Sequence, residues 1–168
     1  MRDVEVIEAD LGRSEHQHAV LELLDAYSQD PMGSGSPLPA EVRRNLIPGL
    51  REHPTTLVFL AYVAHAPAGL AICFRGFSTF AARPLINIHD LAVLPEHRGR
   101  GVGRLLLDAV AEKGRALGCC KLTLEVLENN ERARSVYEAA GFRQAVYRPE
   151  SGGALFWTKP LDRSSQSR

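Results

Sequence analysis

No stretch of this chain approaches the roughly 20 consecutive apolar residues that a bilayer-crossing helix needs, so no membrane partner is expected. The opening MRDVEVIEAD is acidic and alternating, unlike the charged-then-apolar pattern of a secretion signal. Cysteine is scarce. The three present, Cys73, Cys119 and Cys120, show no CxxC or similar ligand spacing. They read as small buried hydrophobes in a reducing cytoplasm, and no metal is expected. A surplus of positive charge is also missing, with 20 Lys+Arg against 20 Asp+Glu. Nucleic-acid binders usually carry such a surplus, so no nucleic-acid partner is expected. There is no GK[ST] and hence no Walker lysine, and no internal repeat is visible.

What is present suits one domain. The 168 residues are 45% hydrophobic and 24% charged, enough for a sizeable core. Alternation predicts a first strand over 4–9, and helical spacing of Ala19, Val20, Leu23, Leu24 and Tyr27 predicts a helix over 16–27. The breaker-dense DPMGSGSPLP at 30–39 reads as a loop and is expected to be mobile. A weaker helix over 41–52 follows, marred by Pro48 and Gly49. Strands over 55–64 and 69–80 flank HAPAG as a hairpin, and PLINIHDLAVLP (84–95) is apolar enough for a central strand. Next comes a helix to about residue 117, with Val102, Leu105, Leu106, Ala109, Val110 and Leu117 on one face and Gly118 ending it. A strand over 121–127, a helix over 131–140 and closing strands over 142–147 and 154–159 complete the domain, 1–162. A disordered tail is expected at 163–168. The element order predicts an α/β fold, a mixed sheet with helices on its faces.

The segment LPEHRGRGVGRLLLD (94–108) sets Gly99, Gly101 and Gly103 between arginines, directly ahead of a good helix. A helix N-terminus offers free N–H groups and partial positive charge. Glycines there let those groups converge on an anion without Cβ obstruction, and Arg98, Arg100 and Arg104 add charge. The guest predicted is a phosphate or pyrophosphate; the alternative is a plain tight turn with solvated arginines. The spacing is not G-x-G-x-x-G, although Glu125 lies at a ribose-contact distance downstream, and about 90 residues precede the turn. A nicotinamide fold is therefore disfavoured.

RGRGVG at 98–103 resembles the (R/Q)-x-x-G-x-(G/A) signature of the GNAT acetyltransferase family. ENNERARSVYEAAGF at 128–142 is similar to that family's N-x-x-A-x-x-x-Y-x-x-x-G-F segment. The likeness is strong over 86–142 and rests on element order alone before that. It implies a single-domain GNAT-like sheet, mostly antiparallel, with a central parallel strand pair splayed to hold acetyl-CoA. It implies acetyl-CoA and an amine as partners, direct attack in a ternary complex, and no metal. Holding the pyrophosphate would fall to Arg98, Gly99, Arg100, Gly101, Val102, Gly103 and Arg104. The pantetheine arm would lie between residues 88–93 and 121–126, with the backbone of Leu91, Ala92 and Val93 as the pairing edge. Asn130 is a helix N-cap whose amide the resemblance also turns to the arm, and Ala133 leaves room beside it. Tyr137 is implied as general acid; the alternative is a core tyrosine with its hydroxyl on a carbonyl.

Acetylation also requires a neutral amine. In NIHDLAV, strict alternation puts Asn87, His89 and Leu91 on one face and Ile88, Asp90 and Ala92 on the other. His89 is either the base, directly or through water, or a structural histidine. Asp90 either orients substrate or binds backbone N–H groups of a bulge. Glu125 is a weaker base candidate, and the acceptor pocket is expected near the first two helices and loop 30–39. A cytoplasmic enzyme follows, with a homodimer on the closing strands expected from the resemblance. The rival is a non-catalytic acyl-CoA-binding module. A sheet-type RNA binder is less favoured still, because the basic face and exposed strand aromatics it needs are missing.

Overall fold

The apolar alternations condense into one five-stranded sheet in the computed structural model, which describes residues 4–161. Its strands are β1 (Val4–Glu8), β2 (Thr56–Val63), β3 (Ala66–Ser78), β4 (Arg83–Val93) and β5 (Leu122–Leu124), in the spatial order β1-β2-β3-β4-β5. The first three pairings are antiparallel and β4–β5 is parallel. Helices α1 (Ser14–Gln29) and α2 (Ala40–Glu52) cover one face; α3 (Val102–Ala116) and α4 (Glu131–Ala139) cover the other. No helix among the described residues is long and apolar enough to cross a membrane.

Two apolar cores sandwich the sheet. Ala19, Val20 and Leu23 of α1 pack with Ile47 and Leu50 of α2 on Leu60, Leu70 and Ile72. On the opposite face Val102, Leu106, Leu107 and Val110 of α3 pack on Ala61, Ala71, Ile86 and Ile88. The expected inner face of α3 is rotated slightly: Leu107 is buried and Leu105 is exposed. Gly114 lies inside, where an added Cβ would meet Leu122 at 3.3 Å.

Three expectations are corrected. The hairpin turn is Ala64–His65, both at positive φ, with Val63 paired to Ala66; HAPAG is largely strand β3. Residues 142–147 and 154–159 form no ladder with each other or with the sheet, and Ala154 N–H to Ala145 O (3.1 Å) is the backbone bond that links them. Alternation alone cannot make a strand without an edge to join. The edge offered here, β5, is three residues long instead of the seven expected over 121–127. The parallel pair consequently closes the sheet instead of lying at its centre. The expected tail at 163–168 lies outside the described residues.

Candidate active site

The chain leaves β4, makes a short 3-10 turn at Pro95–His97 and enters α3 through Gly99 and Gly101, whose φ angles are +72° and +81°. Left-handed backbone strains a residue with a Cβ, so glycine is favoured at both positions. Among the described residues the N–H groups from Gly99 to Arg104 donate to nothing; Leu105 is the first that does, to Gly101 O at 3.0 Å. A run of free donors at a helix N-terminus is a ready anion seat. A Cβ on Gly99 or Gly101 would point into open space, whereas one on Gly103 would meet Val93 and Val136. Gly103 lies where α3 faces Val93 of β4 and Val136 of α4, with room for ordinary contact.

The arginines divide. Arg100 is exposed beside the seat and holds no ion pair among the described residues. Arg104 donates to Asp108 (3.0 Å) and to Ala139 O (2.7 Å), fastening α3 to α4. Arg98 is turned inward. Its N–H goes to Pro95 O (3.2 Å), its Nε to Val93 O (2.8 Å) and its Nη2 to Asp30 (2.6 Å).

Beyond the seat the sheet opens. The β4–β5 ladder runs from Ile86↔Leu122 to Ile88↔Leu124 and stops, while β4 continues to Val93. Leu94 N–H bonds Ala68 O on the β3 side, so alternation turns the backbone groups of Leu91 and Val93 toward the gap and those of Ala92 toward β3. Across this gap stands α4, capped by Asn130, whose Oδ1 accepts from Ala133 N–H at 3.2 Å. Ala133, Val136, Tyr137 and Ala140 line its half-buried face, as the spacing predicts. The Tyr137 hydroxyl has no hydrogen-bond partner among the described residues, so the carbonyl-bound core tyrosine is not what the fold contains. Burial, then the nearby Tyr27, pushes its phenol up to about 12.

The acceptor side turns on a β-bulge. Ile72 pairs with Asp90 and Cys73 with Ile88, which leaves His89 unopposed. The extra residue flips the alternation. Ile86 and Ile88 share the α3 face with Leu91 and Val93, and Ala92 joins the α1 face. The strict two-face reading of NIHDLAV fails at that point. Asp90 lies opposite Ile72, itself a member of the α1-side core. The His89 ring meets the Phe74 edge at 5.5 Å and is exposed. Asp90 is half-buried and accepts no hydrogen bond from the described residues, so it does not bind the bulge's N–H groups. Burial raises its carboxyl above the usual range, with His89 opposing that shift. Glu125 lies past the end of β5 and is exposed.

Tyr27, the last apolar residue of α1, enters the sequence pattern only through its helical spacing. Burial, then the carboxylates of Asp90 and Asp30, raises its phenol, and Tyr27 in turn contributes to the rise at Tyr137. Its position immediately before a breaker-rich loop was the available signal. That loop carries hydrogen bonds to the end of α1. Ser28 Oγ donates to Ser36 O (2.7 Å), and Leu38 N–H donates to Asp25 (2.9 Å). Gly33 approaches so closely that a Cβ would lie 2.2 Å from Tyr27 O.

Residues 20–142 match the Acetyltransferase (GNAT) family. The chain belongs to this family. Thialysine N-epsilon-acetyltransferase of Bos taurus is 34% identical over 101 residues, covering 55% of this chain and 59% of the bovine protein. The match thus spans about three-fifths of that relative. Glucosamine 6-phosphate N-acetyltransferase of Trypanosoma brucei brucei is 32% identical over 130 residues, 73% of this chain and 80% of that one. Among solved structures, a ribosomal-protein-alanine N-acetyltransferase from Brucella melitensis superposes with a TM-score of 0.65 at 20% identity, over 96% of this chain and 99% of its own. An aminoglycoside N-acetyltransferase in complex with CoA gives 0.72 at 17%, over 95% and 96%. The last two likenesses are of fold. This GNAT sheet therefore has a mixed, mostly antiparallel plan with one parallel pair.

Proposed function

We propose that this GNAT chain is an acetyl-CoA-dependent N-acetyltransferase acting on a primary amine of a small molecule or peptide. The observation that carries the reading is the run of unpartnered N–H groups from Gly99 to Arg104, opening onto a β4 edge that β5 has left. These residues fit acetyl-CoA: the seat suits a pyrophosphate, with Arg100 adding charge, and the Leu91 backbone suits an amide-bearing arm. Arg98 belongs to this set through its position, since its donors are engaged by the protein. Asn130 retains its Nδ2 donors for the arm, and Ala133 supplies the space. When bound, the co-substrate supplies an activated acetyl thioester.

Asp90 is the proton acceptor in this reading. A half-buried carboxylate without partners, held above its usual pKa, is a stronger base than a solvated one. His89 stands at the exposed mouth beside it and relays the proton outward through water. Tyr137 stays protonated at any working pH and donates a hydrogen bond to the departing sulfur. Full transfer from a phenol near 12 to a thiol near 8.5 is uphill by about 3.5 units, so hydrogen bonding is the role it fills.

The cytoplasmic location proposed with this rests on Cys73, Cys119 and Cys120, each a free thiol. A homodimer is also part of the proposal, since Tyr147, Leu155, Phe156 and Trp157 of the C-terminal segment are large apolar side chains left exposed. Sedimentation of the purified chain tests that part.

Amine-dependent thiol release from acetyl-CoA, read across a panel of polyamines, amino acids, aminosugars and peptide N-termini, tests the activity. Turnover with one class and its loss in Asp90→Asn is expected. CoA binding with no turnover on any amine would favour the acyl-CoA-binding module.

A further inference from the structure

We infer that Asp30 is a positioning residue that makes the acceptor loop answer to the donor loop; this rests on the reading of residues 99–104 as the cofactor seat. Asp30 terminates α1 and is 68 residues away in sequence from its partner Arg98. The two meet at 2.6 Å with side chains only 13% and 27% exposed, so solvent screens this pair far less than the surface ion pairs. Arg98 is not free to follow Asp30. Its Nε is held on Val93 O at 2.8 Å, and its own N–H closes the turn before Gly99. On the other side, Asp30 organises the start of the acceptor loop. It accepts Met32 N–H on Oδ1 (2.9 Å), its N–H donates to Tyr27 O (3.1 Å), and its carbonyl accepts Gly33 N–H (2.8 Å). Those bonds hold the 30–36 turn against Tyr27 at the end of α1.

The chain therefore contains one continuous polar path from the anion seat to the acceptor wall, through Arg98 and Asp30. Giving acceptors to the N–H groups of 99–104 stiffens the turn that carries Arg98. A stiffer Arg98 holds Asp30 more of the time, and the acceptor loop becomes ordered when the donor is in place. Coupling of this kind is reciprocal: whatever orders the loop also favours the seat. Arg132 on α4 adds positive field at Asp30, so removing Arg98 alone leaves a partial substitute, and variants at Asp30 are the cleaner probe.

Amide hydrogen exchange of the full chain, with and without CoA, tests this. In the wild type, CoA is expected to slow exchange about tenfold both at 99–105 and at 28–38. Asp30→Asn keeps the oxygen that receives Met32 N–H but removes the charge. It should retain CoA protection at 99–105 and lose it at 28–38, with a modest fall in melting temperature from the unpaired Arg98. Asp30→Glu should restore part of the loop response, and Arg98→Lys, which lacks the rigid fork that sets separate nitrogens on Val93 O and Asp30, should weaken it. A purely structural Asp30 would loosen 28–38 equally with and without CoA, and that result overturns the inference. Persistent loop protection in Asp30→Asn overturns it as well. No CoA protection at 99–105 in the wild type would instead remove the cofactor seat, and the coupling with it.

Discussion

The two sides of the β4 opening are built from different materials. On the proposed donor side the atoms are backbone: free N–H groups at the head of α3 and the edge of β4 past Ile88. On the proposed acceptor side they are side chains, namely Asp90, His89, Tyr27 and Asp30, gathered from a bulge and a helix end. Backbone donors accept any residue that permits the required φ, so the donor seat reduces to a glycine pattern. Side-chain sites tolerate many solutions, which suits a family whose relatives carry names as different as thialysine and glucosamine 6-phosphate acetyltransferases.

The sharpest way to break this contrast is Gly101→Glu. Its φ of +81° strains any Cβ, and the carboxylate would project into the seat. CoA affinity measured by calorimetry should fall at least ~100-fold; retained affinity would show that the seat is not built from these amides. Asp90→Asn comes next, with kcat/KM for the amine reduced ~100-fold or more and CoA affinity unchanged. The same variant should be more heat-stable at neutral pH. Burial raises the Asp90 carboxyl above its ordinary 3.8, so the folded state binds more protons than the unfolded chain between that value and the raised one. Stability is lost as pH climbs through this window, and the asparagine avoids the loss. Melting curves should differ above the window and converge below it.

Tyr137→Phe has a smaller expected effect, ~10–100-fold in kcat. With its phenol near 12, it should leave the alkaline limb of the pH–rate profile in place below about pH 11. His89→Gln is smallest, within about threefold with the acid limb retained, because Asp90 and not the exposed imidazole carries that limb. An acid limb abolished by His89→Gln would exchange the two roles.

The donor side was legible because its determinants are local. The turn, the Asn130 cap and the α4 face with Ala133 and Tyr137 follow from spacing within a few residues. The acceptor side was not. Strict alternation along NIHDLAV misassigns faces because the extra residue at His89 depends on how β3 and β4 pair, and local sequence does not fix that register. The Arg98–Asp30 pair joins positions with no sequence relation, and it redirects an arginine that charge alone would assign to phosphate. The closing strands fail for a related reason: their pattern presumes a partner edge that β5, ending at Leu124, does not extend far enough to offer.

The account rests on main-chain donors at 99–104 receiving a diphosphate. Amide NMR titration reads those atoms directly, with CoA and with pantetheine, which lacks the diphosphate, run side by side. The amide signals of residues 99–104 should move strongly with CoA and stay nearly fixed with pantetheine. If CoA binds while those signals stay still, or pantetheine moves them equally, the seat is elsewhere and the account is contradicted.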